Sequence, residues 1–260
     1  MDAKALAQEQ VAFFRREGFL RLRRFVSPEA IRDLRPVYDR LFLARAGFRE
    51  GNFFDLVSSE TDDAFAAPQL LRLSSYAPEL LHNPVFPAAW AIARQILGPR
   101  AKFDLDHGIL KPARSATPVP WHQDEAFWDG RYEYDGISIW IPLQEVDEDS
   151  GCLQFVPASH RRPVLRHRPI GDDHRVHGLE VPRLAPSFTE VCPLPVGGAT
   201  IHHARTLHYS APNTSEIDRR AYVLVFSGKK RRRLISRKQH RDMASDSPRA
   251  SRARRWESLA

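Results

Sequence analysis

The chain has 260 residues, of which 42% are hydrophobic, which is enough for one well-buried domain but short for two. Its two cysteines, Cys152 and Cys192, exclude a disulfide scaffold and a zinc site made of thiolates alone, and they indicate a reducing, cytoplasmic location. The opening residues lack the apolar run of a signal peptide, and no segment approaches membrane-spanning length. We therefore expect no membrane partner.

The formal net charge of +7 is concentrated in a basic tail, residues 229–260. This tail has twelve lysines and arginines against three acids, a net charge of +9, which leaves −2 for the rest of the chain. Nucleic-acid binding would depend on the tail alone, so a nucleic-acid partner is not expected. Repulsion between close like charges and the scarcity of apolar residues predict a largely disordered tail, and deleting residues 234–260 should change stability and turnover little.

Helical patterns dominate residues 1–99. Apolar spacing predicts a first helix that ends at Gly18 and a second that begins at Ser27-Pro28. Pro36 lies within the second helix, where it should cause a kink or a restart. A further helix is predicted over residues 84–97.

The pattern changes to short β-like runs after residue 100. Turn residues separate these runs, which cover residues 136–141, 152–156, 199–201 and 221–226. We predict one domain over residues 1–228, mainly β, with a mostly helical N-terminal part (1–99) and a β core (100–228). Many short strands favour a sandwich or jelly-roll barrel over a parallel α/β sheet.

The motif Trp121-His122-Gln123-Asp124 carries the clearest chemical signal. Residues two apart in a strand share a face, so His122 and Asp124 can face one metal ion, with His208 as candidate third ligand. Two imidazoles and one carboxylate on one face of an octahedron are typical of oxygen-activating Fe(II) sites. Arg219 suits bidentate binding of a dicarboxylate co-substrate, and Arg220 should face the other way.

The chain resembles the phytanoyl-CoA dioxygenase family of Fe(II)/2-oxoglutarate oxygenases from about residue 10 to about residue 228. Five segments match in the same order: FFRREGFLRLRRF (13–25), LGP (97–99), KP followed by WHQD (111–112 and 121–124), GCLQFVPASH (151–160) and residues 198–219. Ala158 departs from the glycine usual in the family. The resemblance implies a double-stranded β-helix (jelly-roll, cupin-like) core with helices packed against its larger sheet.

The same resemblance assigns roles to particular side chains. It implies three iron ligands that also form the catalytic centre, namely His122, Asp124 and His208. It implies three residues that bind the co-substrate 2-oxoglutarate, namely Arg219, Ser210 and Trp140. Apart from the resemblance, the sequence itself offers four candidate substrate contacts, namely Lys111, Phe127, Trp128 and His203. Four further histidines lie in a polar loop sequence and are expected to be solvated, namely His160, His167, His174 and His177.

The activity implied is that of a dioxygenase that uses Fe(II), 2-oxoglutarate and O₂ to hydroxylate a small molecule, with release of succinate and CO₂. Related halogenases replace the carboxylate ligand by Gly or Ala, so Asp124 favours hydroxylation. Desaturation, cyclisation and epoxidation on the same scaffold stay open. Two alternatives are a non-catalytic metabolite-binding β-barrel, which would tolerate loss of a ligand or of Arg219, and a zinc hydrolase.

Overall fold

The computed structural model describes residues 5–60, 65–237 and 247–258. The helices are α1 (Gln8–Glu17), α2 (Pro28–Leu43), α3 (Leu73–Tyr76), α4 (Val85–Leu97) and α5 (Pro248–Glu257). The strands are β1 (Phe19–Leu22), β2 (Phe53–Asp55), β3 (Pro68–Leu71), β4 (Lys102–Lys111), β5 (Val119–His122), β6 (Tyr132–Pro142), β7 (Leu153–Phe155), β8 (Arg168–Pro169), β9 (Leu179–Glu180), β10 (Glu190–Val191), β11 (Ala199–His203), β12 (His208–Ser210) and β13 (Arg219–Arg232).

Two antiparallel sheets form the main body of the structure. The larger sheet has seven strands in the order β1-β11-β6-β13-β4-β3-β2, and the smaller has four in the order β10-β7-β12-β5. Strands β8 and β9 form a separate antiparallel pair. The expected mainly β architecture is therefore confirmed, and strands β1, β2 and β3 from the N-terminal part join the larger sheet. None of the helices in the described residues is long and apolar enough to cross a membrane.

The alternation of side chains along β13 shows how the larger sheet divides the core. Tyr222, Leu224 and Phe226 belong to the cluster that includes helices α1, α2 and α4. Val223 and Val225 belong to a second cluster, with residues of the smaller sheet such as Phe155. Successive residues of a strand point to opposite faces, so one face of β13 is covered by helices and the other faces the smaller sheet.

The helix boundaries near the N-terminus follow the local signals of the sequence. Gly18 ends α1 with φ of 82°, in the left-handed region that glycine adopts readily. Ser27 caps α2, since its hydroxyl accepts from the Ala30 amide. The expected kink or restart at Pro36 does not divide the helix, because α2 is continuous from Pro28 to Leu43.

The structure corrects the expectation of a largely disordered tail. Residues 229–232 continue β13, and α5 forms at residues 248–257. Arg252 is 9% exposed, and its guanidinium binds the Glu60 carboxylate and donates to the carbonyls of Phe48 and Phe53. These buried contacts hold α5 against the body of the protein. For residues 238–246 and 259–260 the prediction of disorder stays a prediction, because these residues lie outside the described ranges.

Candidate active site

Three predicted metal ligands meet between the two sheets. His122 ends β5 and His208 begins β12, and the two residues are direct cross-strand partners. Asp124 follows two residues after His122, at the start of a 3₁₀ turn. Its Oδ1 lies 3.8 Å from His122 Nε2 and 3.4 Å from His208 Nε2. One ligand atom from each residue lies within 4.8 Å of the others, so the set can hold one ion.

The two imidazoles are oriented so that their Nε2 atoms face this centre. His122 Nδ1 donates to the Pro120 carbonyl at 2.7 Å, and His208 Nδ1 donates to the Thr206 carbonyl at 2.9 Å. A carbonyl oxygen accepts only, so each Nδ1 carries the proton and each Nε2 has a free lone pair. This arrangement of the second nitrogen is usual for histidines that bind a metal, and the donor set fits a two-histidine, one-carboxylate iron site.

Burial and mutual charge set the protonation states that a metal requires. Burial lowers the pKa of His122, and it lowers that of His208 well below its ordinary value. Burial alone would raise the pKa of Asp124, but His208, His202 and His122 outweigh it and hold that pKa well below its ordinary value. Neutral imidazoles beside an ionised carboxylate are the states in which these groups bind metal.

Two residues of the larger sheet fix the other oxygen of Asp124. Ser138 Oγ on β6 donates to Asp124 Oδ2 at 2.6 Å, and His202 Nε2 on β11 lies 3.2 Å from the same oxygen. Ser138 and His202 are themselves partners across β6 and β11. Because Oδ2 is bound in this way, Oδ1 is left to face the two Nε2 atoms.

Arg219 lies on β13 in the same interior space and is 2% exposed. Its guanidinium lies 5.5 Å from the centroid of the Trp140 ring, and its buried Nε has no hydrogen-bond partner within the described chain. Burial lowers the pKa of Arg219 to about 10, which keeps the side chain charged at neutral pH. Arg220 faces the opposite side and pairs with Asp39 at 2.5 Å, as the alternation of a strand predicts.

A family model described as "Phytanoyl-CoA dioxygenase (PhyH)" matches residues 14–221, which is most of the chain. The chain belongs to the phytanoyl-CoA dioxygenase family. The resemblance read from the five sequence segments is thereby confirmed.

One solved structure and two named proteins are similar to this chain in sequence. EvdO2 from Micromonospora carbonacea var. aurantiaca, solved with 2-oxoglutarate, is 36% identical with a TM-score of 0.77, over 91% of this chain and 97% of EvdO2. A probable alpha-ketoglutarate-dependent hypophosphite dioxygenase from Stutzerimonas stutzeri is 34% identical over 52% of this chain and 48% of the relative. L-proline trans-4-hydroxylase from Streptomyces griseoviridis is 32% identical over 54% of this chain and 59% of the relative. The chain thus spans about half the length of these two curated relatives.

A cavity of about 350 Å³ opens beside the three candidate ligands. Its lining includes five of the residues predicted to contact the co-substrate or the substrate, namely Arg219, Ser210, Trp140, Phe127 and Trp128. The rest of the wall is largely apolar and includes Leu56, Leu71, Leu105, Ile109 and Val119. Such a volume suits a small ligand.

The structure does not bring Lys111 and His203 into this cavity. Lys111 is fully buried, and its Nζ donates to the carbonyls of Ser210 and Ala211, so it holds the end of β12. His203 lies on the opposite face of β11 from His202, where its Nδ1 accepts from the Arg205 amide and its ring packs near His160. Both residues support the backbone around the site and do not line the cavity.

Several cavity residues were missed by the sequence interpretation. Ser138 shares a face of β6 with Trp140, so strand alternation could have identified it. His177 was expected to be solvated but is 9% exposed, lines the cavity and packs edge-on against Phe54. His160 and His167 are also buried, whereas His174 is exposed as expected. Arg249 reaches the cavity from α5, and no local signal in the sequence indicates this.

Proposed function

We propose that this protein is an Fe(II)- and 2-oxoglutarate-dependent dioxygenase that hydroxylates a small molecule, with release of succinate and CO₂. The observation that carries the proposal is the convergence of His122, Asp124 and His208 on one point of a cavity that also contains the buried Arg219, whose Nε has no hydrogen-bond partner in the described part of the chain. A facial triad alone would suit several metal reactions. Arg219 adds a site for a carboxylate within the same cavity.

In this proposal His122, Asp124 and His208 hold Fe(II), which when bound supplies the activation of O₂ that is coupled to decarboxylation of 2-oxoglutarate. Arg219 binds the distal carboxylate of the co-substrate by charge-assisted hydrogen bonds. Trp140, whose ring faces that guanidinium, limits the positions the carboxylate can take. Ser210 lines the same space, although its hydroxyl donates to the Gly151 carbonyl at 2.8 Å, which gives it a positioning role on β12.

The remaining walls keep the reacting groups apart from water. Phe127 and Trp128 lie three and four residues after the Asp124 ligand and line the cavity, where they would contact the substrate. Desolvation strengthens each charged contact inside the cavity, including the one made by Arg219. The substrate is therefore proposed to be a small molecule with an apolar part that fits these aromatic side chains.

We also infer the finer features of the fold and setting that accompany this function. Two antiparallel sheets that face each other around a cavity, with α1, α2 and α4 on the outer face of the larger one, support a double-stranded β-helix (jelly-roll) core. The free, buried thiols of Cys152 and Cys192 support a reducing, cytoplasmic setting.

The proposal is tested by succinate formation from 2-oxoglutarate in the presence of Fe(II), O₂ and a panel of small molecules. His122→Ala, Asp124→Ala and His208→Ala should each abolish iron-dependent turnover, because a site with two ligands holds the ion weakly. Metal binding, followed by calorimetry with Mn(II), should weaken in the same three variants. His82→Ala removes an exposed imidazole on another part of the chain and serves as the control. Normal succinate formation in any of the three ligand variants would contradict the proposal.

A further inference from the structure

Arg249 is a second guanidinium in the cavity, and the proposed reaction gives it no role. It lies in the first turn of α5 and lines the same cavity as the candidate iron ligands. Its guanidinium lies 4.7 Å from the centroid of the Phe54 ring, which packs against the cavity residue His177. The basic tail therefore closes one side of the cavity with a cationic side chain.

Within the described residues, Arg249 has no acidic partner. Its buried Nε makes no hydrogen bond, and no carboxylate of the described chain lies within ion-pair distance. Glu60 is the acid that influences it, but both oxygens of Glu60 are bound by Arg252, at 2.5 and 3.1 Å. Burial lowers the pKa of Arg249 to about 10, so it stays charged at neutral pH. The side chain as a whole is half-buried, but leaving the desolvated Nε of a charged group without a partner is costly, which indicates that a ligand supplies the partner that the described chain lacks.

The charge balance of the loaded site points in the same direction. Apart from histidines, the charged side chains that line the cavity in the described chain are Asp124, Arg219 and Arg249. A divalent metal, the Asp124 carboxylate, the Arg219 guanidinium and dianionic 2-oxoglutarate together sum to zero charge. Arg249 then remains as an uncompensated positive charge in a largely apolar cavity.

We propose that Arg249 binds an anionic group of the substrate, so that the substrate is a small organic acid or phosphate ester with an apolar body. Phe127, Leu56 and Leu71 line the same cavity and supply apolar surface for the body of the substrate. The anionic end of the substrate lies at α5, and its apolar part extends towards the iron. This inference rests on the proposed function and adds to it the chemical class of the substrate.

The experiment uses the full chain loaded with Mn(II) and saturated with 2-oxoglutarate, so that Arg219 is occupied. Three probes of matched chain length are titrated by calorimetry: hexanoate, hexyl phosphate and hexanamide. One or both anions should bind about tenfold or more tightly than hexanamide, the effect of one charge-assisted contact. The better of the two anions distinguishes a carboxylate substrate from a phosphate ester.

Variants of α5 locate this preference. Arg249→Met removes the charge but keeps an apolar chain against Phe54, and it should abolish the preference for anions. Arg249→Lys should retain part of it, because a cation remains. Arg255→Ala removes the same charge from an exposed position of α5 and should keep the preference in full.

Three outcomes would overturn the inference: no anion preference in the unmodified protein, an unchanged preference in Arg249→Met, or a loss of 2-oxoglutarate binding in Arg249→Met as large as in Arg219→Met. The last would mean that Arg249 binds the co-substrate. Failure of the proposed function would look different, because the unmodified protein with Fe(II) would form no succinate from 2-oxoglutarate under any condition.

Discussion

The buried carboxylate of Glu125 provides a direct test of what the basic tail does for stability. Glu125 follows the ligand Asp124 and is fully buried. Arg233 Nη2 donates to its Oε1 at 2.5 Å, while its Oε2 has no hydrogen-bond partner within the described chain. Two other arginines lie farther from this carboxylate, Arg237 at 3.7 Å and Arg205 at 3.9 Å. Arg233→Met therefore removes the guanidinium that hydrogen-bonds to the buried acid.

The expected loss of unfolding free energy in Arg233→Met depends on the burial of Glu125 and on the two arginines that remain near it. Breaking a buried ion pair by removing one partner typically costs about 3–5 kcal/mol. Because Arg205 and Arg237 still offset the charge of Glu125, we expect a loss at the lower limit of this range. Arg233→Met should lower the free energy of unfolding by about 3 kcal/mol. For a chain of this size that corresponds to a melting temperature lower by about 6–12 °C. Burial raises the pKa of Glu125 even with all three arginines present, which shows that desolvation of the carboxylate is the opposing effect.

Urea unfolding followed by tryptophan fluorescence measures this loss, and Arg231→Met is the matched control. Arg231 lies two residues earlier, pairs with Glu133 at 2.6 Å and is 84% exposed. An ion pair on the surface contributes little, so the control should stay within about 0.5 kcal/mol of the unmodified protein. Equal stability of Arg233→Met and Arg231→Met would refute the view that the tail neutralises a buried acid.

Three further predictions concern the site and the tail. Arg219→Met should raise the 2-oxoglutarate concentration for half-maximal succinate formation by about tenfold or more, whereas Arg220→Met should leave it unchanged. Ser138→Ala should weaken Mn(II) binding by about tenfold in a calorimetric titration, because Asp124 loses a hydrogen bond that orients it; unchanged affinity would contradict this role. Deletion of residues 234–260 should lower the melting temperature by several degrees and impair turnover with substrate, and a truncated protein as stable as the full chain would show that α5 contributes nothing.

Two of the three candidate iron ligands could be predicted from local sequence, whereas His208 lies far along the chain and was assigned through the family resemblance. Alternation in an extended strand places His122 and Asp124 on one side, and the number of residue types that bind iron is small. The register between strands is not local. The doublet His202-His203 offers one imidazole to each face of β11, and the pairing of His202 with Ser138 decides which one faces Asp124. Residue types alone cannot decide which of the two histidines faces the site. His203 is therefore the candidate contact predicted from sequence, whereas His202 is the one beside Asp124.

The tail shows the opposite case, in which composition suggests disorder but distant partners impose order. Close like charges repel in any medium, but a guanidinium that reaches a buried carboxylate gains an opposite charge where the low dielectric constant strengthens the attraction. Arg233 pairs with Glu125, which is 108 residues away in the sequence, and Arg252 pairs with Glu60, which is 192 residues away. The sequence near each arginine therefore gives no indication of its carboxylate partner, which lies more than a hundred residues away.

The two ion pairs also have a consequence for the cavity. Arg233 attaches the start of the tail beside the ligand Asp124, through Glu125, and Arg252 attaches its end beside β2, through Glu60. With both ends fixed, α5 lies where Arg249 lines the cavity. The stability that these pairs contribute is therefore coupled to the binding role proposed for Arg249. A variant that releases α5, such as Arg252→Met, should lose the preference for anionic probes and also have a lower melting temperature. Arg249→Met should lose the same preference but retain most of the stability of the unmodified protein.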